Sequence, residues 1–324
     1  MNIREVARLA GVSPATVSRV INGTASVSED KRARVLRAIA ETEFVPNEVA
    51  RTLFKGSSKT IGLLIPSMRN PYFMMLAAAL DEQASRRGYR LQLQHVGYDF
   101  TREQAALQQL QAGNADGVIL VPGSTRRCGD WRGYSMPMVV VDSDLPGWEV
   151  PCIYSDHYQG ARMAMEHLVD CGCREIVLIR GPQSTFSGLS RYRGYQDYCL
   201  EYGICPKVVD CDYDFQAGLA MTEALLSRYP EVDGILACND LVAISTYKIL
   251  HKRKISVPDQ VKLMGFDDIP FSSLMSPELS TIRQPVEDLA ELAMELVLRR
   301  DLCGKEERHV LPVTLVPRET TGHK

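Results

Sequence analysis

The 324-residue chain contains no run of about 18 consecutive apolar residues, so the sequence predicts no transmembrane span. Its opening stretch, MNIREVARLA, mixes charged with apolar side chains, which is not typical of a secretory signal. Cysteine is absent from the first 127 residues, and the total of nine is odd. These features exclude a disulfide framework and favour a reducing, cytoplasmic location.

Several motifs of enzymes and cofactor sites are missing. No two glycines are spaced two apart, so there is no GxGxxG, and neither GxxxxGK nor GxSxG occurs. His167, Cys171 and Cys173 are close together, but no second ligand pair follows at zinc spacing, which favours buried thiols over a metal site. The sequence therefore predicts no cofactor, no metal and no enzymatic activity.

Charge is distributed unevenly along the chain. Residues 1–59 carry ten Lys or Arg against six Asp or Glu, although the whole chain has a net charge of −3. A basic head on an acidic body indicates a polyanionic partner for the head alone.

The head contains three short helical patterns. Gly11 ends the first and Gly23 the second, Ser13 is a good N-cap for the second helix, and the third begins after Ser28. The apolar positions expected in the core are Ile3, Val6, Ala7 and Ala10, then Val17, Val20 and Ile21, then Val35, Leu36 and Ile39. This arrangement predicts a helix-turn-helix unit, with a plain three-helix bundle as the alternative.

The outward face of the second helix has the chemistry of a DNA-reading surface. Arg19 is expected to bond guanine in the major groove, and Ala15 to touch a thymine methyl group. Ser13, Thr16 and Asn22 suit phosphate or sugar contacts. The predicted DNA-contacting residues of the head are Ser13, Ala15, Thr16, Ser18, Arg19 and Asn22.

A short helical segment, 48–55, joins the head to the body, with Asn47 as its cap and Gly56 at its end. Eight residues are fewer than the roughly 12–15 that even a marginal isolated helix needs. We therefore expect this segment to order only when something holds it, while a flexible linker remains the alternative.

From residue 60 onward, short apolar runs alternate with helical stretches such as 71–88, 157–171, 214–229 and 240–252. The predicted strands are 61–66, 91–96, 117–122, 138–142, 176–179, 208–210, 234–238 and 261–266. This alternation is typical of parallel sheets with helices on both faces, and we expect two such sheets here.

Polar and aromatic residues come after these strands or begin the next helices. Aromatic faces, carboxylates, amides and arginine are the groups that hold a sugar in a cleft at the carboxyl ends of parallel strands. The predicted ligand-binding residues are Asn70, Tyr72, Phe73, Asp142, Arg191, Tyr213, Asn239, Asp267 and Gln284, and Phe186 is a further candidate for the cleft. The alternatives are that Asn239 and Asp267 cap helices and that Tyr72 and Phe73 are core residues.

The chain resembles the lactose-repressor/galactose-repressor family of bacterial transcription regulators, in particular its ribose-repressor-like members. The resemblance rests on IREVARLAGVSPATVSRVING and PNEVARTLFKGSSKTIGLLIP, and continues through NPYF, DGVILVP, SRYRGY, CNDLVAI, VPDQVKLMGFDDIP and LSTIRQP. It implies an all-α helix-turn-helix head and an α/β body of two doubly wound parallel-sheet lobes, as in periplasmic binding proteins. It also implies that Leu53 wedges between base pairs in the minor groove.

The resemblance implies a head at 1–46, a hinge at 47–59 and an effector domain at 60–324. The first lobe is then expected at about 60–156 and 286–309, and the second at about 157–285 and 310–324. One departure concerns Ser143, which stands where many related sugar receptors have an arginine. This puts ribose itself in doubt as the ligand.

The expected function is that of a homodimeric repressor that binds a near-palindromic operator under the control of a small sugar-like effector. The chain end has no leucine heptads, which favours a dimer over a tail-assembled tetramer. The alternatives are a regulator that needs a purine-type or protein corepressor, a sugar receptor without a DNA role, and an enzyme that uses the cleft.

Overall fold

The computed structural model describes residues 3–22, 27–42, 57–125, 133–299 and 305–322. The chain divides into two compact units, Met1–Ser58 and Lys59–Lys324. The predicted hinge helix 48–55, with Leu53, lies outside the described residues. Within those ranges, no helix combines the length and the apolar character that crossing a membrane requires.

The head consists of α1 (Ile3–Ala10), α2 (Pro14–Asn22) and α3 (Glu29–Thr42). Val6, Val17 and Val35, one from each helix, are completely buried, as the helical spacing predicts. The prediction for Leu36 is wrong, because this side chain is 53% exposed and Ala38 takes its place in the core. Val35 and Ala38 are three residues apart and share one helix face, whereas Leu36 is turned about 100° away from Val35.

The first lobe of the body is a six-stranded sheet whose strands all pair in parallel, in the order β11-β5-β4-β3-β1-β2. Helices α4 (Pro71–Arg86) and α10 (Val286–Leu298) cover one face, and α5 (Phe100–Ala112) packs on the other. The strands are β1 (Thr60–Ile65), β2 (Arg90–His95), β3 (Gly117–Leu120), β4 (Met138–Val141), β5 (Cys152–Ser155) and β11 (Arg308–Leu311).

The second lobe is a four-stranded parallel sheet in the order β7-β6-β8-β9. Two helices cover each face, α6 (His157–Asp170) with α7 (Phe186–Glu201), and α8 (Phe215–Arg228) with α9 (Asp240–Lys252). The strands of this sheet are β6 (Ile176–Arg180), β7 (Lys207–Asp210), β8 (Gly234–Ala237) and β9 (Lys262–Met264). A separate two-stranded antiparallel sheet is formed by β10 (Thr281–Arg283) and β12 (Thr314–Val316).

The chain passes between the lobes three times, after β5, after β10 and after β11. The third crossing falls later than the predicted 309–310, because β11 continues to Leu311 in the first sheet. Pro312 separates β11 from β12, since proline has no amide hydrogen to give to a strand ladder. The predicted architecture of two parallel-sheet lobes is confirmed.

Candidate functional site

The outward face of α2 carries the side chains predicted to contact DNA. Ser13, Ala15 and Arg19 are exposed, and Thr16 and Ser18 are half-buried, while Val17 on the opposite side is buried in the head core. The Ser13 hydroxyl accepts a hydrogen bond from the Thr16 amide at 3.2 Å and so caps α2 as predicted. The side chain of Asn22 falls outside the described part of the chain, as Leu53 does.

The second site lies between the two lobes, at the carboxyl ends of their strands. From the first lobe, Asn70 and Tyr98 come after β1 and β2, and Asp142 directly follows β4. From the second lobe, Asn239 and Asp267 follow β8 and β9. At the mouth, the Thr125 amide of the first lobe donates a 2.8 Å hydrogen bond to the Ser184 carbonyl of the second, so the lobes touch there.

A continuous chain of buried polar side chains crosses from one lobe to the other. Asp142 is 2.9 Å from Nε2 of His157, and Nδ1 of His157 is 3.4 Å from both Nε and Nη2 of Arg191. Arg191 Nη2 donates to Asp267 at 3.1 Å, and Gln284 Nε2 donates to the same Asp267 oxygen at 2.7 Å. Four predicted ligand-binding residues are thereby brought together through one residue that the sequence reasoning did not single out.

Arg191 is the centre of this chain. Its guanidinium carbon lies over the Phe266 ring, 3.6 Å from the ring centroid, and Nη1 donates to the Cys238 carbonyl. These contacts hold a planar, fully charged group in a buried position, where stacking and fork-shaped donation favour arginine over lysine. A charged donor held in this way can bond a ligand hydroxyl without first being reorganised.

Burial controls the ionisation of the residues around Arg191. It raises the pKa of Asp267 to about 6, although the Arg191 charge and the Gln284 amide oppose the shift. It lowers the pKa of His157 below its usual value, against the pull of the Asp142 hydrogen bond, so His157 is neutral at pH 7. Burial also raises the pKa of Tyr213 to about 12, which keeps that phenol protonated as a donor.

Three buried polar atoms of the predicted set make no hydrogen bond of ordinary geometry to the described residues: Tyr72 Oη, Asn239 Nδ2 and Gln284 Oε1. Tyr72 is buried, and burial, the charges of Asp142 and Asp267 and the interaction of its hydroxyl with the nearby Asp142 side chain raise its pKa, so the hydroxyl stays protonated. A buried polar atom without a partner costs about 1–3 kcal/mol. The cleft therefore presents donors and an acceptor that a polar ligand or water can satisfy.

Some predicted ligand-binding residues also have structural roles. Asn70 caps α4 by accepting from the Tyr72 amide at 3.1 Å, and Asn239 caps α9 by accepting from the Val242 amide at 2.9 Å. Phe73 is buried in the first lobe's core and meets the Tyr72 ring edge-on at 5.3 Å. The two asparagines each use the oxygen for the cap, and the second asparagine keeps its amide nitrogen for other contacts.

Sequence reasoning missed His157 and Tyr98. His157 was visible only as the first residue of a predicted helix, and its spacing carries no signal that it faces Asp142. Tyr98 lies in the loop after β2 and is half-exposed; its partial burial, with Tyr213 and Asp142 nearby, raises its pKa. Both residues are recognisable only when the two lobes are placed together.

The other residues noted from the sequence are also located. Ser143 is buried, and Phe186 begins α7 with its ring 4.6 Å from that of Tyr154 and 6.1 Å from that of His157. His167 bonds the Thr321 hydroxyl at 2.8 Å. Within the described residues, no three His, Cys, Asp or Glu side chains are grouped as metal ligands.

An exposed helix-turn-helix face and a two-lobed α/β body with a polar interlobe cleft define a class of ligand-responsive DNA-binding regulators. A family model for bacterial regulatory proteins of the lacI family matches residues 2–47, and one for periplasmic binding protein-like domains matches 165–321. The ribose operon repressor of Halalkalibacterium halodurans is 37% identical over 321 residues, which cover 98% of this chain and 96% of that protein. The chain belongs to the lacI family of bacterial transcription regulators.

Two solved structures extend the comparison. The lac repressor dimer bound to operator and the anti-inducer ONPF is 27% identical, with a TM-score of 0.88 over 99% of both chains. A periplasmic binding protein/LacI transcriptional regulator from Alkaliphilus metalliredigens, complexed with D-xylulofuranose, is 32% identical, with a TM-score of 0.72 over 81% of this chain and 98% of that one. The predicted family and fold are confirmed.

Proposed function

We propose that this transcription repressor acts as a homodimer, and that a small sugar-like effector bound between the lobes controls its affinity for a near-palindromic operator. The observation that carries the proposal is the buried polar chain from Asp142 to Gln284, which draws its members from both lobes. A ligand that bonds both ends of such a chain favours one lobe arrangement over others. Its differential affinity then supplies the coupling, on the scale of about 1–3 kcal/mol.

The chemistry of the cleft suits a polyhydroxy ligand. Asn239 Nδ2 offers a donor, Gln284 Oε1 an acceptor, and Tyr72 Oη both functions. Ligand hydroxyl groups can form hydrogen bonds with all three atoms, because a hydroxyl both donates and accepts. We assign the ligand-binding role to Asn70, Tyr72, Phe73, Asp142, Arg191, Tyr213, Asn239, Asp267 and Gln284, with Phe73 shaping the wall through Tyr72.

In the head, Ser13, Ala15, Thr16, Ser18, Arg19 and Asn22 contact the operator, with Arg19 reading a base in the major groove. The hinge 47–59 orders on DNA, and Leu53 inserts into the minor groove. Phe271 and Leu274 of the second lobe, 52% and 77% exposed, are large apolar side chains that a second copy would cover. A twofold dimer requires the near-palindromic operator.

The proposal places the protein in the bacterial cytoplasm at the nucleoid, without catalytic activity of its own. A rival view is that Asp142, Asp267 and Arg191 perform acid–base chemistry on the bound sugar. All three are engaged with one another through His157 and direct contact, which suits binding. Incubating the protein with each ligand and assaying for altered sugar separates the two, and we expect none.

The test has two stages. A thermal-shift screen against pentoses, hexoses, their phosphates and purines identifies the effector, and selection from random duplexes with the full chain identifies the operator. Fluorescence anisotropy then compares operator binding with and without the effector. The direction of the change distinguishes an inducer from a corepressor.

Asp267→Ala is expected to abolish the effector response and to leave operator affinity unchanged, because Asp267 lies in the cleft and the operator is read by the head. Asp170→Ala, an exposed position on α6, is the matched control and should respond like the wild type. A retained response in Asp267→Ala refutes the cleft assignment. The same purified proteins report on the hinge: hydrogen exchange should be fast at 48–55 without DNA and slow with it.

A further inference from the structure

His157 occupies the junction between the lobes. It is the first residue of α6, directly after the chain leaves the first lobe, and its side chain is 0% exposed. Its ring reaches Asp142, which follows β4 of the first lobe, and Arg191, which lies on α7 of the second. One imidazole therefore joins a carboxylate of one lobe to the guanidinium of the other.

The two neighbours decide which nitrogen of His157 carries the proton. A guanidinium can only donate, so Nδ1, which faces Arg191 at 3.4 Å, must be the acceptor. A neutral ring then carries its proton on Nε2 and donates it to the Asp142 carboxylate at 2.9 Å. Burial lowers the pKa of His157, in agreement with a neutral ring.

The ring is also confined by packing. The Phe266 ring lies 5.8 Å away and the Phe186 ring 6.1 Å away. One turn along α6, Gly160 lies so close to Phe266 that a Cβ there would be 2.7 Å from the ring edge. The close approach of helix and ring leaves the imidazole little room to turn.

The two carboxylates at the ends of this arrangement have unusual backbones. Asp142 has φ of +59° and Asp267 has φ of +117°, in the region that non-glycine residues rarely adopt. Such conformations persist when surrounding contacts determine them, and they occur at ligand-binding sites. Asp267 is held by Arg191 and Gln284, and Asp142 is held by His157.

We propose that His157 is a positioning residue for the effector: through Nε2 and Nδ1 it orients Asp142 and Arg191 together, so that both present their remaining polar atoms to one ligand. The inference rests on the proposed function of the cleft. It adds His157 to the cleft as a residue that does not contact the ligand itself. His157 orients the groups that do, and it connects Asp142 of the first lobe to Arg191 of the second.

Three substitutions separate the two bonds of His157. In His157→Phe the ring is kept and both bonds are removed. In His157→Gln the amide nitrogen reaches the position of Nε2 and restores the donor to Asp142. In His157→Asn the shorter amide reaches the position of Nδ1 and restores the acceptor for Arg191. Thermal unfolding of each variant without ligand checks that the fold is retained.

Isothermal titration uses the tightest binder among D-ribose, D-xylose, D-fructose and D-galactose. Hydrogen bonds to charged groups contribute about 1.5–3 kcal/mol, so His157→Phe should bind about ten- to a hundredfold more weakly. His157→Gln should recover most of this loss, and His157→Asn less, because the bond to Asp142 is the shorter. The loss of affinity from wild type to His157→Phe should be smaller for a deoxy analogue than for the parent sugar. Equal affinity of His157→Phe and wild type overturns the proposal.

A second measurement needs no ligand. In the full-length protein labelled with ¹⁵N-histidine, the spectrum at pH 7 should show a neutral, Nε2-protonated ring that disappears in His157→Phe. A proton on Nδ1, or on both nitrogens, overturns the assignment whatever the cleft binds. If no sugar binds the wild type but the tautomer is as expected, the proposed function has failed and the positioning role falls with it, while the hydrogen-bond assignment stands.

Discussion

The carboxyl group of Asp240 is completely buried directly behind the cleft. It accepts hydrogen bonds from the Ile269 amide at 2.8 Å, the Ser272 hydroxyl at 2.7 Å and the Thr281 hydroxyl at 2.5 Å. Its own amide donates to the Phe266 carbonyl. Asp240 is therefore hydrogen-bonded to Phe266, just before Asp267 in the chain, and to Ile269, just after it. Burial, helped by the Asp267 charge, raises the pKa of Asp240 to about 8, against the pull of these donors.

This shift predicts a stability that declines as the pH rises. In the unfolded chain the carboxyl group loses its proton near pH 3.9, whereas in the folded chain it keeps the proton to about pH 8. The stabilising contribution is complete below about pH 4 and is lost as the pH rises through the folded pKa. The slope is about 1.4 kcal/mol per pH unit, so the free energy of unfolding should lose about 3 kcal/mol between pH 5 and pH 7 from this group.

The measurement is guanidinium unfolding of the full chain by circular dichroism at pH 5, 6, 7 and 8. Asp240→Asn removes the titrating group, so its stability relative to the wild type should improve steadily with pH. Glu231→Gln, at an exposed position, is the control and should run parallel to the wild type. A stability difference between Asp240→Asn and wild type that stays constant over this range would refute the reasoning.

Three further predictions concern the DNA face, the cleft and the packing of the second lobe. Arg19→Ala should weaken specific operator binding by about 1–3 kcal/mol and flatten preference at one base pair in an anisotropy titration over variant operators, whereas unchanged preference would show that Arg19 reads no base. Arg191→Met should lower the free energy of unfolding by about 3–5 kcal/mol, because it leaves the buried Asp267 charge without its partner. Adding Asp267→Asn to this variant should recover part of the loss. If the effects of the two substitutions simply add, the two side chains are not paired. Gly194→Ala should destabilise by about 1–3 kcal/mol, since its Cβ would be 2.3 Å from the Tyr158 carbonyl between α6 and α7. Gly133→Ala should not, since no atom of the described residues lies within 4 Å of where its Cβ would be.

Much of the architecture can be traced to local pattern. Apolar spacing located the head helices and the eight strands expected in the body, because a buried face imposes a period on the residues that form it. Leu36 shows the limit of this reasoning. It is apolar and adjacent to a core residue, yet it is exposed, because helix geometry turns it away from the position that Ala38 fills.

The cleft was predictable in part. Asp142, Asn239 and Asp267 come after strands that the sequence reveals, and parallel strands bring such positions to one edge of a sheet. Tyr98 was not recognised, because its loop has no periodic pattern and one of its neighbours, Tyr213, belongs to the other lobe.

The amino-acid order by itself determined the head helices, the eight predicted strands of the body, the residue types at their ends and the family, but not β5, β10, β11 and β12. Only the tertiary structure decided that His157 lies between Asp142 and Arg191, residues 15 and 34 positions away along the chain. It also decided that Asn239 has its oxygen in a helix cap and its nitrogen without a partner among the described residues. The physical reason is that periodicity records burial on one element, whereas a hydrogen bond between lobes depends on where two separately folded sheets bring their edges together.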